Sequence, residues 1–472
     1  MKIRSIPGSA AGRLRRAART LGSCLLLLLA ISACGPREPE RWNVLVVLVD
    51  TLRADRMSLY GHAQPTTPHL ETFAREAVVF DNAHSQAGCT FPSVNSLLTS
   101  RIPATFLRPG AALGIPQGVR SLPELLREQG YATAAVSASP IVRNTPSRVN
   151  RVGGFGRGFD VFDESCYRQD ARCLNEKALG ILQSARQPWF LYLHYMEPHA
   201  PYRPPADHPR RIAPPVARAR ELGVSPWAQK GEVWPVSRHL YYGSTRYRIT
   251  PQNIAHLSAL YDEEIAYFDA RFAELIETLR DKDLLERTLI VFTADHGEEM
   301  YEHGHFGHCR SIAYETVLKT PLVLRIPDAP SDQQGLRRDA LAENLDIVPT
   351  LFDYLGLSTE GHGFEGTSLR PVIEENRRVR RVSFGLQGVA RTVHDGTWKL
   401  LYDLASGSAK LFDLRKDPGE KTDLSQKRPE DVQRLRAVLL RWLESREGPV
   451  ATGESRRRAD ELEKKLRSLG YL

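Results

Sequence analysis

Several apolar runs in this 472-residue chain stop on an acidic or imidazole residue. Asn43–Val49 reads N-V-L-V-V-L-V and ends at Asp50, Trp189–Tyr195 reads W-F-L-Y-L-H-Y and leads into M-E-P-H, and T-L-I-V-F-T-A ends at Asp295-His296. Runs without polar alternation predict strands covered on both faces, as in a parallel sheet, and the carboxyl ends of such strands are where sites are built. Tyr131–Ser139 and Thr320–Ile326 read as further strands. Helical periodicity lies between them: Ser121–Gly130 has a capped amphipathic pattern, and Asn253–Asp281 repeats apolar residues at Leu257, Leu260, Tyr261, Ile265, Phe268 and Phe272. The alternation predicts an α/β fold with a large, mainly parallel sheet flanked by helices.

Two stretches break the pattern. Residues 203–250 are Pro-rich, with nine basic and three acidic residues. They read as an insertion bordering the site, either a basic lid for an anionic substrate or a solvated loop. From about Arg377 the chain turns to short strands and turns, followed by a helix through Trp442. Lys399 and Arg391 lie in this part, as solvated strand charges or as groups approaching a site.

Gln86–Ser100, Q-A-G-C-T-F-P-S-V-N-S-L-L-T-S, reads as a tight turn entering a helix. Pro92 suits a first helical position, and Ser93 can satisfy a free amide. Thr90 would then sit just ahead of a helix N-terminus. There it can be a nucleophile or metal ligand beside a bound anion, or a plain cap in a surface turn.

Composition narrows the function. The apolar share of 42% and charged share of 25% are those of an ordinary globular protein. The net charge of +8 suggests nucleic acid, but six of the 64 basic residues precede residue 34 with no acid among them, leaving 58 against 56 acidic. A nearly neutral mature chain removes the main support for nucleic-acid binding. Residues 1–33 have a basic start and the apolar run Cys24–Ile31, too short to span a bilayer, and read as an export signal. Ile31-Ser32-Ala33-Cys34 resembles a bacterial lipoprotein cleavage box, so Cys34 would be lipidated and residues 34–42 would tether the protein to a membrane. A plain signal peptide or an uncleaved anchor are the alternatives. In an oxidising compartment, Cys166 and Cys173 are expected to pair, while a bridge between Cys89 and Cys309 is left open.

The motifs together resemble the sulfatase family of the alkaline-phosphatase superfamily, from about Asn43 to Leu472. The family's C-x-P-S-R-x-S-L-L-T-G places its formylglycine Cys on Thr90 and its Arg on Val94, with Cys89 one place too early. Thr at this place is similar instead to phosphoethanolamine transferases and lipoteichoic acid synthases of the superfamily, whose nucleophile is an unmodified Thr. T-L-R-A-D-R-M-S-L-Y-G resembles the opening motif, with Asp50 as first metal ligand and Thr51 where many sulfatases carry a second Asp. P-H-A-P-Y puts His199 at the substrate anion or leaving group, and Asp295-His296 match a metal-binding pair. His303 fits G-E-x-x-x-E-H-G. His308, twelve residues after His296, matches a further active-site His of the Thr-dependent transferases, and Arg310 stands where sulfatases place a substrate-binding Lys.

The resemblance implies a sulfatase-like domain over residues 43–376 and a small antiparallel α+β subdomain over 377–472. It also implies a divalent metal on Asp50, Thr90, Asp295 and His296. His in place of Asn favours zinc or manganese, with calcium as the alternative. The activity expected is hydrolysis or transfer of sulfate or phosphate esters through Thr90, on a small-molecule or glycan- or lipid-linked anionic ester. Phosphoryl chemistry is favoured because Thr cannot expel sulfate by the hemiacetal collapse open to formylglycine. A non-catalytic lipoprotein that keeps the fold for binding is the alternative.

Overall fold

The computed structural model describes residues 41–103, 114–167, 170–209, 211–214, 249–309 and 313–447, with the backbone of three short strands between 234 and 247. The expected signal segment, Cys34 and Arg310 lie outside the described residues.

The main sheet has eight strands: β1 (Asn43–Val49), β2 (Val78–His84), β3 (Ala132–Ser137), β4 (Val161–Asp163), β5 (Trp189–Tyr195), β9 (Thr288–Ala294), β12 (Lys319–Arg325) and β13 (Leu336–Glu343). Their order is β13-β2-β12-β9-β1-β5-β3-β4. All neighbours are parallel except at β12, which runs against both β9 and β2. The strands between are a ribbon of β6 (Trp234–Val236), β7 (His239–Tyr242) and β8 (Thr245–Tyr247), and the pair β10 (Glu299–Met300) and β11 (Phe306–Gly307).

β1 shows why an unbroken apolar run becomes a central strand. Val44, Val46 and Leu48 enter the core on one face, while Leu45, Val47 and Val49 enter the core on the other, all fully buried. Each such side chain contributes roughly 1.5–3 kcal/mol. The helix Thr90–Thr99 packs on the first face through Val94, Leu97 and Leu98, and the long helix Pro251–Asp281 on the second through Leu257, Leu260, Phe268 and Phe272.

That long helix also ties down loops through buried carboxylates. Glu263 accepts the amides of Arg211, Ile212 and Ala213, Glu264 accepts that of Arg203, and Asp269 accepts those of His69 and Leu70. Part of the Pro-rich 203–250 stretch is therefore held against the domain. Beyond the main sheet, β14 (Ser383–Gln387), β15 (Ala390–His394), β16 (Trp398–Asp403) and β17 (Ala409–Asp413) form an antiparallel sheet in sequence order. The helix Pro429–Glu447 covers it with Leu435, Leu439 and Leu443, one turn apart.

Candidate functional site

Parallel pairing brings the carboxyl ends of β1, β5 and β9 side by side, with Val49 opposite both Tyr195 and Ala294. Asp50 and Asp295 therefore leave neighbouring strands at the same level. Thr51 follows in a left-handed conformation, φ 58°, an unfavourable place for a β-branched residue. It is held there by Tyr261, whose hydroxyl donates to the Thr51 carbonyl at 2.6 Å, and by its own amide, which donates to Asp295 Oδ1 at 3.1 Å.

The helix carrying Thr90 runs from Thr90 to Thr99 and is buried throughout. It begins two residues earlier than Pro92 suggests: Thr90 is the first helical residue, and Pro92 lies within the first turn, where a missing N–H leaves no internal bond unmade. Nor is Thr90 a cap on a surface turn, being 3% exposed. Ser93 caps nothing; its hydroxyl donates to the Asp295 carbonyl and pairs with Ser85. Val94 points into the apolar core.

Thr90 Oγ1 lies 3.5 Å from Asp50 Oδ2 and 3.3 Å from His296 Nε2. One ligand atom from each of Asp50, Asp295 and His296 lies within 4.8 Å of the others, all three residues buried. His296 donates Nδ1–H to the Gly297 carbonyl at 2.9 Å, which leaves the Nε2 lone pair facing the group. Asp295 Oδ1 accepts two amides, while Asp295 Oδ2 and Asp50 Oδ1 are buried with no hydrogen-bond donor among the described residues. Two buried carboxylates with unused oxygens and an imidazole lone pair fit a divalent cation.

The charges fit it as well. Burial raises the Asp50 carboxyl, but the His194 hydrogen bond and the fields of His199 and His296 hold it well below its ordinary value. Burial, then the Asp50 charge, pushes Asp295 up, and burial with the nearby His308 lowers His296 to about 3. Burial also works against the charge on His308, but Glu298 overcomes it and raises that ring, with Glu298 Oε1 3.0 Å from Nδ1. His308 lies with its ring centroid 4.6 Å from that of His296 and 5.2 Å from that of His199.

Six residues singled out in the sequence, Asp50, Thr90, His199, Asp295, His296 and His308, thus fall in one cluster. His303 lies apart from it: it bonds Glu299 at 2.8 Å and the Gly419 carbonyl at 3.1 Å and stacks on Tyr314. Lys399 is neither solvated nor among the cluster's contacts. It is 1% exposed and bridges Glu315 at 2.8 Å and Glu420 at 3.0 Å. Both disulfides are closed, Cys166 with Cys173 and Cys89 with Cys309.

Three further residues escape a sequence reading. His194, inside an apolar run, reads as core, yet its Nε2 lies 3.1 Å from Asp50 Oδ2. Glu298 joins His308 to the Tyr202 hydroxyl. Gln387, far along the chain, accepts the Gly88 amide at 2.7 Å. The only local signal for His194 is that it lies beside a strand's carboxyl end.

Comparison with known proteins agrees with this geometry. The chain matches the sulfatase family over residues 42–357 and the C-terminal region of N-sulphoglucosamine sulphohydrolase over 301–446. It is 27% identical to arylsulfatase K of Gallus gallus, over 88% of this chain and 85% of that protein, and 24% identical to choline-sulfatase of Rhizobium meliloti, over 81% and 82%. In fold it is similar to a phosphonate monoester hydrolase from Silicibacter pomeroyi, with a TM-score of 0.69, 21% identity, and coverage of 86% of this chain and 96% of that one. An eight-stranded mixed sheet with a small antiparallel C-terminal sheet, carrying a buried Asp-Asp-His group, defines a hydrolase of sulfuric or phosphoric esters on the alkaline-phosphatase/sulfatase fold. The chain belongs to the sulfatase family.

Proposed function

We propose that this sulfatase-family protein cleaves anionic esters with Thr90 as an unmodified nucleophile, and that phosphate rather than sulfate esters are its preferred substrates. The observation that carries the reading is the Thr90 hydroxyl, 3.5 Å from Asp50 and 3.3 Å from His296 on the first residue of a buried helix.

A divalent cation held by Asp50, Asp295 and His296, with Thr90 as a further donor, would supply Lewis acidity, easing loss of the Thr90 proton and neutralising charge on the ester oxygens. The O,O,O,N donor set suits zinc or manganese, with calcium as the alternative. Thr90 Oγ1 attacks the central atom in line and the ester oxygen departs. His308, its Nδ1 engaged by Glu298, has Nε2 free to give that oxygen a proton. His199 turns its Nδ1 toward the Ala200 carbonyl at 2.7 Å and leaves Nε2 for the substrate anion. Arg310, at the family's substrate-binding position, is assigned to the same anion.

Water or an acceptor alcohol then releases the group from Thr90. A phospho-Thr is opened by attack at phosphorus, whereas a sulfo-Thr lacks the hemiacetal route that frees sulfate from formylglycine, and this favours phosphoryl chemistry. The relatives' names give aryl and choline sulfates as substrates of those proteins, and a small or glycan- or lipid-linked ester fits here. The segment around Cys34 supports export and anchoring of the chain through a lipidated cysteine.

The test is metal-supplemented turnover on an aryl sulfate, an aryl phosphate monoester and an aryl phosphodiester side by side, with Thr90→Ala as control. Thr90-dependent release from a phosphate ester is expected. Release from the sulfate alone would overturn the phosphoryl preference, and full activity in Thr90→Ala would overturn the nucleophile.

A further inference from the structure

The turn that delivers Thr90 is held from the C-terminal sheet. Gly88 N–H donates to Gln387 Oε1 at 2.7 Å, and Leu386 N–H donates to the Gln86 carbonyl at 2.8 Å, so the end of β14 runs along the backbone of residues 86–88. Gln387 Nε2 reaches Cys89 Sγ at 3.4 Å. On the other side, Cys309 N–H donates to the Gly88 carbonyl at 2.8 Å, beside the disulfide to Cys89. Both hydrogen-bonding groups of Gly88 are thus engaged by distant parts of the chain, two residues before Thr90.

The approach leaves no room for a side chain. A Cβ on Gly88 would stand 2.4 Å from Val317 Cγ1 and 3.4 Å from Gln387 Oε1. Thr90 Oγ1 makes long contacts with His296 and Asp50, at 3.3 and 3.5 Å, and as the first residue of a buried helix it depends on its backbone for where it stands. Gln387 is 2% exposed and sits at the end of a strand, where packing fixes its rotamer. Its amide oxygen is therefore a fixed point from which the turn is hung.

We propose that Gln387 is a positioning residue for the ester-cleaving reaction: by accepting the Gly88 amide it sets where Thr90 Oγ1 stands relative to Asp50, Asp295 and His296. The C-terminal sheet then completes the active site rather than merely covering the main sheet. A nucleophile displaced by about 1 Å loses on the order of 10²-fold in rate, because attack depends on alignment more than on binding. The proposal rests on the reading of Thr90 as nucleophile.

Two variants of the full chain test the acceptor. Gln387→Met keeps the length and removes the oxygen, while Gln387→Glu keeps an oxygen for Gly88 and exchanges the amide donor to Cys89 for a titratable oxygen. Expected for Gln387→Met is a fall in kcat of at least about tenfold with KM changed less than about threefold, and exchange of the Gly88 amide hydrogen at least about tenfold faster. Gln387→Glu should restore both to within about threefold of the parent. Unchanged kcat or unchanged amide exchange in Gln387→Met, or a kcat loss that only follows its thermal unfolding, would each overturn the proposal. Thr90→Ala carried alongside separates the two readings. Full turnover there removes the nucleophile and with it the basis of this role, whereas an inactive Thr90→Ala beside a fully active Gln387→Met removes the role of Gln387 alone.

Discussion

His194 Nε2 lies 3.1 Å from Asp50 Oδ2, and both side chains are inside the sheet, at 0% and 2% exposure. Because an ionised carboxylate only accepts, the ring must donate from Nε2, and the Tyr192 hydroxyl 2.9 Å from Nδ1 completes the chain. One Asp50 oxygen is thereby engaged and the other left without a donor among the described residues, in the midst of Asp295 and His296. Such a hydrogen bond fixes both the direction of a ligand and its charge.

Replacing His194 with Phe should therefore weaken divalent-cation binding by about 10–100-fold while leaving the fold intact. Calorimetric titration of the metal-stripped protein with zinc or manganese would read this directly, without any substrate. Unchanged affinity would mean that Asp50 is oriented by its backbone alone.

Thr90→Ser and Thr90→Ala differ in a single feature that matters, the hydroxyl. If Thr90 carries the group, Ser keeps turnover within about tenfold of the parent, while Ala loses at least about 10³-fold in kcat even at saturating metal. Mass spectrometry of the acid-quenched parent should then find the transferred group on the peptide that includes Thr90. A Ser variant as inactive as Ala, with the same metal affinity as the parent, would contradict a hydroxyl nucleophile.

How far these features were legible depends on whether their cause is local. β1 and β5 coincide with their apolar runs because every position in them is buried on one face or the other, and Asp50 and Asp295-His296 follow as chain neighbours of strand ends. The start of the helix at Thr90 was not legible, since Pro tolerates any place in the first turn. His194 reads as core until parallel pairing sets it opposite Leu48, beside the strand end that carries Asp50. Gln387, 299 residues from Gly88, has no local signature at all, because its role exists only once the two sheets meet. Lys399 misled for the related reason that its partners, Glu315 and Glu420, lie 84 residues before it and in the loop after β17.

Val94 falls on the arginine of C-x-P-S-R in the motif resemblance, and its surroundings predict what an arginine there does. The side chain is fully buried among Val44, Leu97 and Leu98. Val94→Arg would force a guanidinium into this apolar layer or push the helix off the sheet, destabilising the protein by at least about 3 kcal/mol. Urea unfolding would show the loss as a lower midpoint. A variant as stable as the parent would mean that the side chain finds a route to the Thr90 cluster.

Glu197 gives a prediction in pH. Its Oε1 accepts the Ala171 amide at 2.9 Å, its Oε2 is buried with no donor among the described residues, and burial pushes its carboxyl up to about 7 from 4.5. The folded state thus holds this proton more tightly than the unfolded chain does. The resulting stability is complete below about 4.5 and is lost as the pH rises to about 7, above which an ionised carboxylate lies buried near Glu264. Glu197→Gln keeps the acceptor for Ala171 and cannot ionise. Relative to the parent it should gain stability between pH 5 and pH 8, by up to about 3 kcal/mol. Denaturant unfolding of both proteins at the two pH values checks this, and a difference that does not change with pH would place the Glu197 proton elsewhere.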